Sequence, residues 1–105
     1  MSKPFEWMAW GGDSIPQEAQ LVQMLAREQL TPEVMVFDLG KSPEMRFELP
    51  VTYVLVEGQG FFGIPGYGSV DVSPGDIMEI EEGLFHDVTV TSSQKAKFLR
   101  ALREK

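Results

Sequence analysis

The chain carries one histidine, His86, and no cysteine among its 105 residues. An imidazole titrates near pH 6.5 and is the side chain most often used as a general acid or base. A tyrosine hydroxyl near an imidazole can donate or accept a proton, and Tyr53 is one of two tyrosines. His86 and Tyr53 are therefore the candidates for acid/base catalysis. Each has a plainer role open to it, His86 as an imidazole bonded to a backbone carbonyl at a strand edge and Tyr53 as a core ring with a satisfied hydroxyl. Without cysteine there are no disulfides, thiolate metal sites or cysteine nucleophile. A catalytic divalent ion takes three or more protein ligands, so a metal at His86 would have to recruit Glu44, Glu48 or Glu79. Carboxylates on surface strands are ordinarily solvated. The expectation is no resident metal and no other cofactor.

His86 lies in the stretch 74–90, PGDIMEIEEGLFHDVTV. Ser73-Pro74-Gly75-Asp76 has turn chemistry, because proline presets φ and glycine tolerates positive φ. The run 77–80 is too short for a helix and is bounded by breakers, which predicts a strand. Asp87, Val88, Thr89, Val90 and Thr91 alternate with period two, as a half-buried strand does. Further strands are predicted at 33–39, 45–49, 51–57, 60–64, 69–72 and 86–91, at the short spacing of a sandwich or barrel. Turns fall at 40–43, 58–60 and 65–68, and Pro50 marks a break between two strands. Phe61 and Phe62 are adjacent in a strand and must face opposite ways, one into the core and the other over the helix or an interface.

Before the strands, Ser14-Ile15-Pro16-Gln17 resembles a capping box and opens a helix predicted over 15–29. Leu21, Val22, Met24 and Leu25 form its apolar face, which docks on the sheet, and Leu30-Thr31-Pro32 ends it. The arm 1–13 contains Phe5, Trp7, Met8 and Trp10, which need covering either by the chain's own barrel or by a partner subunit. Residues 95–105 have helix-forming side chains, with Phe98 and Leu102 at i, i+4, yet a strand over 96–101 is the preferred reading.

Forty-three per cent hydrophobic residues with ten glycines and seven prolines suits a β-rich domain of about 100 residues. A formal charge of −7 repels phosphate backbones and anionic lipid, which argues against nucleic-acid and membrane partners. No stretch has the roughly 20 apolar residues of a membrane helix, and MSKPFEW lacks the apolar core of a signal peptide. A cytoplasmic protein of one domain, residues 1–105, is expected.

The spacing Gly75, five residues, Glu81, one residue, Gly83, two residues, His86 resembles the second signature motif of the cupin family. Tyr53-Val54-Leu55-Val56-Glu57-Gly58-Gln59-Gly60 resembles the end of that family's first motif, a strand running into a tight turn. The likeness covers residues 34–101. The family's first motif also carries two histidines one residue apart and a glutamate. Here Val51 takes the glutamate position, and Met45 and Phe47, or Glu44 and Arg46, take those of the histidines. Glu81 replaces a proline, and Val90 stands where an asparagine is common. Of the four metal ligands of the family, His86 is the one present.

The resemblance implies an all-β protein, a small antiparallel double-stranded β-helix or jelly-roll barrel over 33–101 with one N-terminal helix. It points His86 into the barrel, with Tyr53, Val51, Leu55 and Val88 on the same side and Arg46, Phe47 and Glu48 as further pocket candidates. Such a barrel has room for one small ligand. An inward Arg46 would clamp a carboxylate, whereas an outward one would pair with Glu44 or Glu48. The reading is a small-molecule-binding barrel that forms a homodimer. The alternative is an enzyme using His86, either a metal-independent isomerase or epimerase or a metal-dependent dioxygenase or isomerase.

Overall fold

The computed structural model describes residues 4–12 and 14–103. Nine strands and one helix appear among them: β1 (Phe5–Met8), α1 (Glu18–Arg27), β2 (Glu33–Phe37), β3 (Gly40–Lys41), β4 (Val51–Glu57), β5 (Gly60–Ile64), β6 (Gly68–Val72), β7 (Ile77–Ile80), β8 (Asp87–Val90) and β9 (Ala96–Leu102). They form two antiparallel sheets, one in the order β1-β7-β4-β9-β2 and one in the order β3-β8-β5-β6. The expected β-rich architecture with one helix is what the chain adopts.

Period two sorts the side chains of β4 and β9 between two layers. Val51, Tyr53 and Leu55, with Ala96 and Phe98, face the space between the sheets, where Phe62, Ile64, Val72, Met78, Ile80, Val88 and Val90 complete the core. Val54, Val56, Leu99 and Ala101 face the other way and are covered by Leu21 and Leu25 of α1 and by Leu30. Fully burying side chains of this size contributes roughly 1.5–3 kcal/mol each. Phe62 is core, as one of the two adjacent phenylalanines must be. Phe61 is half-buried on the outer side of the four-stranded sheet, not against α1, which lies on the five-stranded one.

Three local expectations need correction. The helix begins at Glu18 with Gln17 as its cap, not Ser14, and Gln20 accepts the Gln17 N–H at 2.8 Å. Residues 14–16 are otherwise engaged: the Trp10 indole donates to the Ser14 carbonyl at 2.8 Å, and Pro16 is buried. The helix also ends before 29, with Gln29 at φ 63 and the Leu30 N–H reaching back to the Leu25 carbonyl at 3.0 Å, a Schellman ending on a non-glycine residue. Residues 45–49 form no strand. Pro43 and Pro50 bracket the segment, and its backbone bonds go to the loop before β8: Met45 N–H to His86 O at 2.7 Å, His86 N–H to Met45 O at 2.9 Å and Gly83 N–H to Phe47 O at 2.8 Å.

The N-terminal arm packs on its own barrel. β1 pairs with β7, Phe5 packs against the inner core and Trp10 joins the layer under α1. Asp76, buried at the end of the Ser73–Asp76 turn, holds the arm by accepting the Trp10 N–H at 2.9 Å, the Ser73 N–H at 3.0 Å and the Trp7 indole at 3.4 Å. Glycine is required at this turn, because Gly75 has φ +94 and a Cβ there would meet the Trp10 side chain at 2.6 Å. Residues 1–3 and 13 of the arm, and 104–105 after β9, lie outside the described residues.

Candidate functional site

His86 immediately precedes β8, and its isolated bridge to Met45 turns its side chain between the sheets. Tyr53 stands on the inner face of β4. Both are fully buried, at 0% relative exposure. Their side chains meet, with the Tyr53 hydroxyl 2.9 Å from His86 Nε2. The other ring nitrogen, Nδ1, lies 3.0 Å from the Leu84 carbonyl. A carbonyl only accepts, so the network assigns the proton to Nδ1, and Nε2 accepts from the tyrosine.

Burial disfavours charge on both partners. It lowers the His86 pKa below its ordinary value, against a smaller opposing pull from the Leu84 carbonyl. It pushes Tyr53 up to about 12, although the guanidinium of Arg100 pulls the other way. The pair is therefore a neutral imidazole and a neutral phenol at physiological pH. In this form the imidazole can accept a proton and the phenol can give one, provided a substrate reaches them.

Arg100 is the residue that sequence reasoning missed. It lies directly across from Tyr53 in the β4–β9 ladder, on the inward side with Ala96 and Phe98. Its guanidinium is held by Glu33 through Nε at 3.1 Å and through the terminal nitrogen Nη2 at 2.6 Å, and it covers the Phe47 ring at 4.8 Å. Its signal was the continuation of the 96, 98, 100 alternation.

The other candidates separate by direction. Val51, Leu55 and Val88 share one buried cluster with Tyr53, and Met45 and Phe47 pack against it. The Phe47 ring is 5.8 Å from the imidazole, and Met45 Sδ is 4.0 Å from the Tyr53 hydroxyl. Arg46 and Glu48 are exposed and pair with each other at 3.4 Å. Arg46 also donates to the Gly83 carbonyl at 3.2 Å and lies over Phe85 at 5.8 Å. Of the two possible frames for the histidine positions, the backbone thus turns Met45 and Phe47 inward and leaves Glu44 and Arg46 exposed.

These residues do not fit a metal ion. Thioether, phenyl and isopropyl groups stand where imidazoles and a carboxylate would be needed, and both His86 nitrogens already have partners. Glu44 and Glu48 are exposed, and Glu79 is bound to Arg103 at 3.4 Å. Among the described residues no three His, Asp or Glu side chains stand close enough together to hold an ion.

Aromatic rings fill the space around the pair. Tyr53 packs on Phe62 at 5.0 Å, Phe62 on Phe98 at 5.7 Å and Phe37 on Phe98 at 5.6 Å. A separate groove of about 450 Å³ opens at the end of the five-stranded sheet, lined by Phe5, Val51, Ile80, Glu79, Glu81 and Arg103 among others. Ile80 is opposite both Phe5 and Val51, but Ile80 and Val51 are core side chains at 1% exposure, so the apolar surface of the groove comes from Pro4, Phe5 and Pro50.

No protein-family profile and no curated protein matches the chain. Solved structures do. A DUF861 family protein from Thermotoga maritima matches with a TM-score of 0.64 at 12% identity, over 94% of this chain and 99% of that one. A cupin superfamily protein from Desulfitobacterium hafniense matches with a TM-score of 0.61 at 13% identity, over 96% of this chain and 78% of that one. A DMSP lyase from Ruegeria pomeroyi matches with a TM-score of 0.64 at 21% identity, over 72% of this chain but 39% of the lyase. At these identities the likeness speaks for the fold alone, and it joins the two-sheet topology and the inward His86 in one conclusion: the chain has the fold of a small cupin.

Proposed function

We propose that this protein binds a small molecule in the groove at the end of its barrel. The observation that carries the reading is an open groove of about 450 Å³ lined by the half-buried Pro4, Phe5 and Pro50 together with Glu79, Glu81 and Arg103, a volume within the usual range for ligand sites. The groove offers apolar area from Phe5 and the two prolines and a few charged groups beside them, the combination that gives affinity and orientation together. The barrel interior, by contrast, is taken up by side chains, with His86 and Tyr53 at 0% exposure.

A thermal-shift screen of metabolites tests this. A ligand of this groove raises the midpoint in a saturable way, as binding to the native state must. Glu81→Trp, an exposed position on the groove wall, hangs an indole over the opening and abolishes that shift while leaving the unliganded midpoint within a few degrees. A hit whose shift survives Glu81→Trp argues against the groove. A broad screen without hits argues against the function.

One observation favours a second reading, that of a metal-independent isomerase or epimerase. The 2.9 Å contact between Tyr53 and His86 joins a donor and an acceptor as proton transfer requires. A substrate could reach them if the segment carrying Met45 and Phe47 moved. Turnover of a sugar or keto acid that His86→Gln abolishes with the fold intact would support it, and turnover retained in full would remove it.

A further inference from the structure

We infer that the outer face of the four-stranded sheet holds a separate ligand site, in which the Asp87 carboxylate takes the ammonium head of a small primary amine. Residues opposite one another in antiparallel strands share a face. Gly63 is opposite Asp87 on one side and Ser69 on the other, and Phe61 is opposite Thr89, which is opposite Lys41 in turn. Phe62 and Val88 point into the core, so period two turns all of these outward. A hollow of about 460 Å³ opens over them, lined by Lys41, Phe61, Gly63, Pro65, Asp87 and Thr89 among others.

Asp87 is 8% exposed, although it stands on the outside of the barrel. Gly63 makes the room for it, since a Cβ at that position would lie 2.5 Å from Asp87 Oδ1. Gly63 is not among the glycines at positive φ, so space and not backbone conformation is what a side chain there would cost. A carboxylate this deep ordinarily receives hydrogen bonds. Among the described residues neither oxygen of Asp87 does. The Lys41 ammonium stands 3.7 Å from Oδ2, an ion-pair distance too long for a hydrogen bond. The oxygen over Gly63 is not sealed in either, and it opens on the hollow.

The chemistry of the occupant follows from this geometry. Lys41 already shows an alkylammonium drawn to the carboxylate, on a side chain that is 70% exposed and can swing away. Because Lys41 flanks Oδ2, one oxygen is left for the ligand. A compact ammonium is satisfied by one oxygen, whereas a planar guanidinium pairs best with two. Phe61, half-buried on the same face, gives apolar surface to the alkyl chain and a ring to the cation. The formal charge of −7 draws cations to the surface and keeps anions away.

Titration of the whole chain with n-butylammonium chloride at constant ionic strength, followed by amide nitrogen–proton NMR, tests the site. Saturable shifts at residues 63, 87 and 89 are expected. Tetramethylammonium chloride, a cation without an N–H, should give no saturable response there. Asp87→Asn keeps the shape and should weaken n-butylammonium binding by roughly tenfold or more. Lys41→Met removes the internal competitor at an exposed position and should tighten it severalfold, an effect that a merely structural Asp87 would not produce. The same spectra show that each variant is folded. Shifts that do not saturate, equal binding of tetramethylammonium, undiminished affinity in Asp87→Asn, or unchanged or weaker binding in Lys41→Met would each overturn the inference.

Discussion

Replacing Tyr53 by phenylalanine removes one oxygen and keeps the ring that packs on Phe62 and Phe98. The loss falls chiefly on the hydrogen bond at His86 Nε2, with the longer contact to Met45 Sδ lost beside it. That nitrogen is left as a buried acceptor without its donor, which costs about 1–3 kcal/mol near neutral pH. The alkaline behaviour carries a second signature. Burial raises the phenol from 10.0 to about 12, so the unfolded chain releases this proton before the folded one does. The contribution is present in full below pH 10 and is lost as the pH rises through 12. Two units correspond to about 3 kcal/mol. Urea denaturation of both proteins at matched pH values isolates the effect, because every other group titrates in common. Tyr53→Phe is expected to be the less stable protein at pH 7, with the difference shrinking toward zero or reversing between pH 10 and 12. Equal stability at pH 7, or a difference that stays constant through the alkaline range, would refute the buried pair.

Other outcomes follow from single features. Gln29 holds a left-handed conformation at φ 63, which costs a residue with a Cβ about 1 kcal/mol, so Gln29→Gly should raise the denaturation midpoint by a few degrees. Asp76→Ala strands the Trp10 and Ser73 amides, and a loss of about 2–4 kcal/mol with early proteolysis of the N-terminal arm is expected. Gly58→Ala forces a Cβ to within 2.9 Å of the Ala96 backbone at φ +102, so a drop in midpoint of several degrees or more is expected by circular dichroism. His86 is held below its ordinary value of 6.5. The unfolded chain therefore gains this proton first on acidification, and stability falls as the pH drops below 6.5. His86→Gln should flatten that part of the stability curve.

Much of the barrel could be read from the chain because its strands alternate and its turns use glycine where φ is positive. Val51–Glu57, Gly60–Ile64 and Ile77–Ile80 fall where the turns that bound them put them. The segment 45–49 misled for an instructive reason. Met45 and Phe47 do point in and Arg46 and Glu48 out, so the side-chain alternation is present. What defines a strand is a ladder, however, and here the backbone partners lie in the loop at 83–86. Ser14 likewise had the chemistry of a cap, but its carbonyl was committed to Trp10. Arg100 was obscured by its charge, since an arginine in phase with core residues reads as the end of a strand. Its counterion, Glu33, is 67 positions away in sequence, a separation no local pattern spans. The resemblance put Tyr53 and His86 on the same inner side, whereas their direct contact at 2.9 Å, across 33 residues and two sheets, came from the structure.

The claim at the centre of this account is that the barrel encloses a neutral imidazole bonded on both nitrogens, with the apolar side chains of Met45 and Phe47 beside it. Because the chain has one histidine, nitrogen NMR of the imidazole reads that site without assignment. Protonated Nδ1 with unprotonated Nε2, persisting well below the ordinary histidine pKa and unmoved by added zinc or nickel, is the expected spectrum. A ring that titrates like a free histidine, or whose resonances shift when the metal is added, would contradict it.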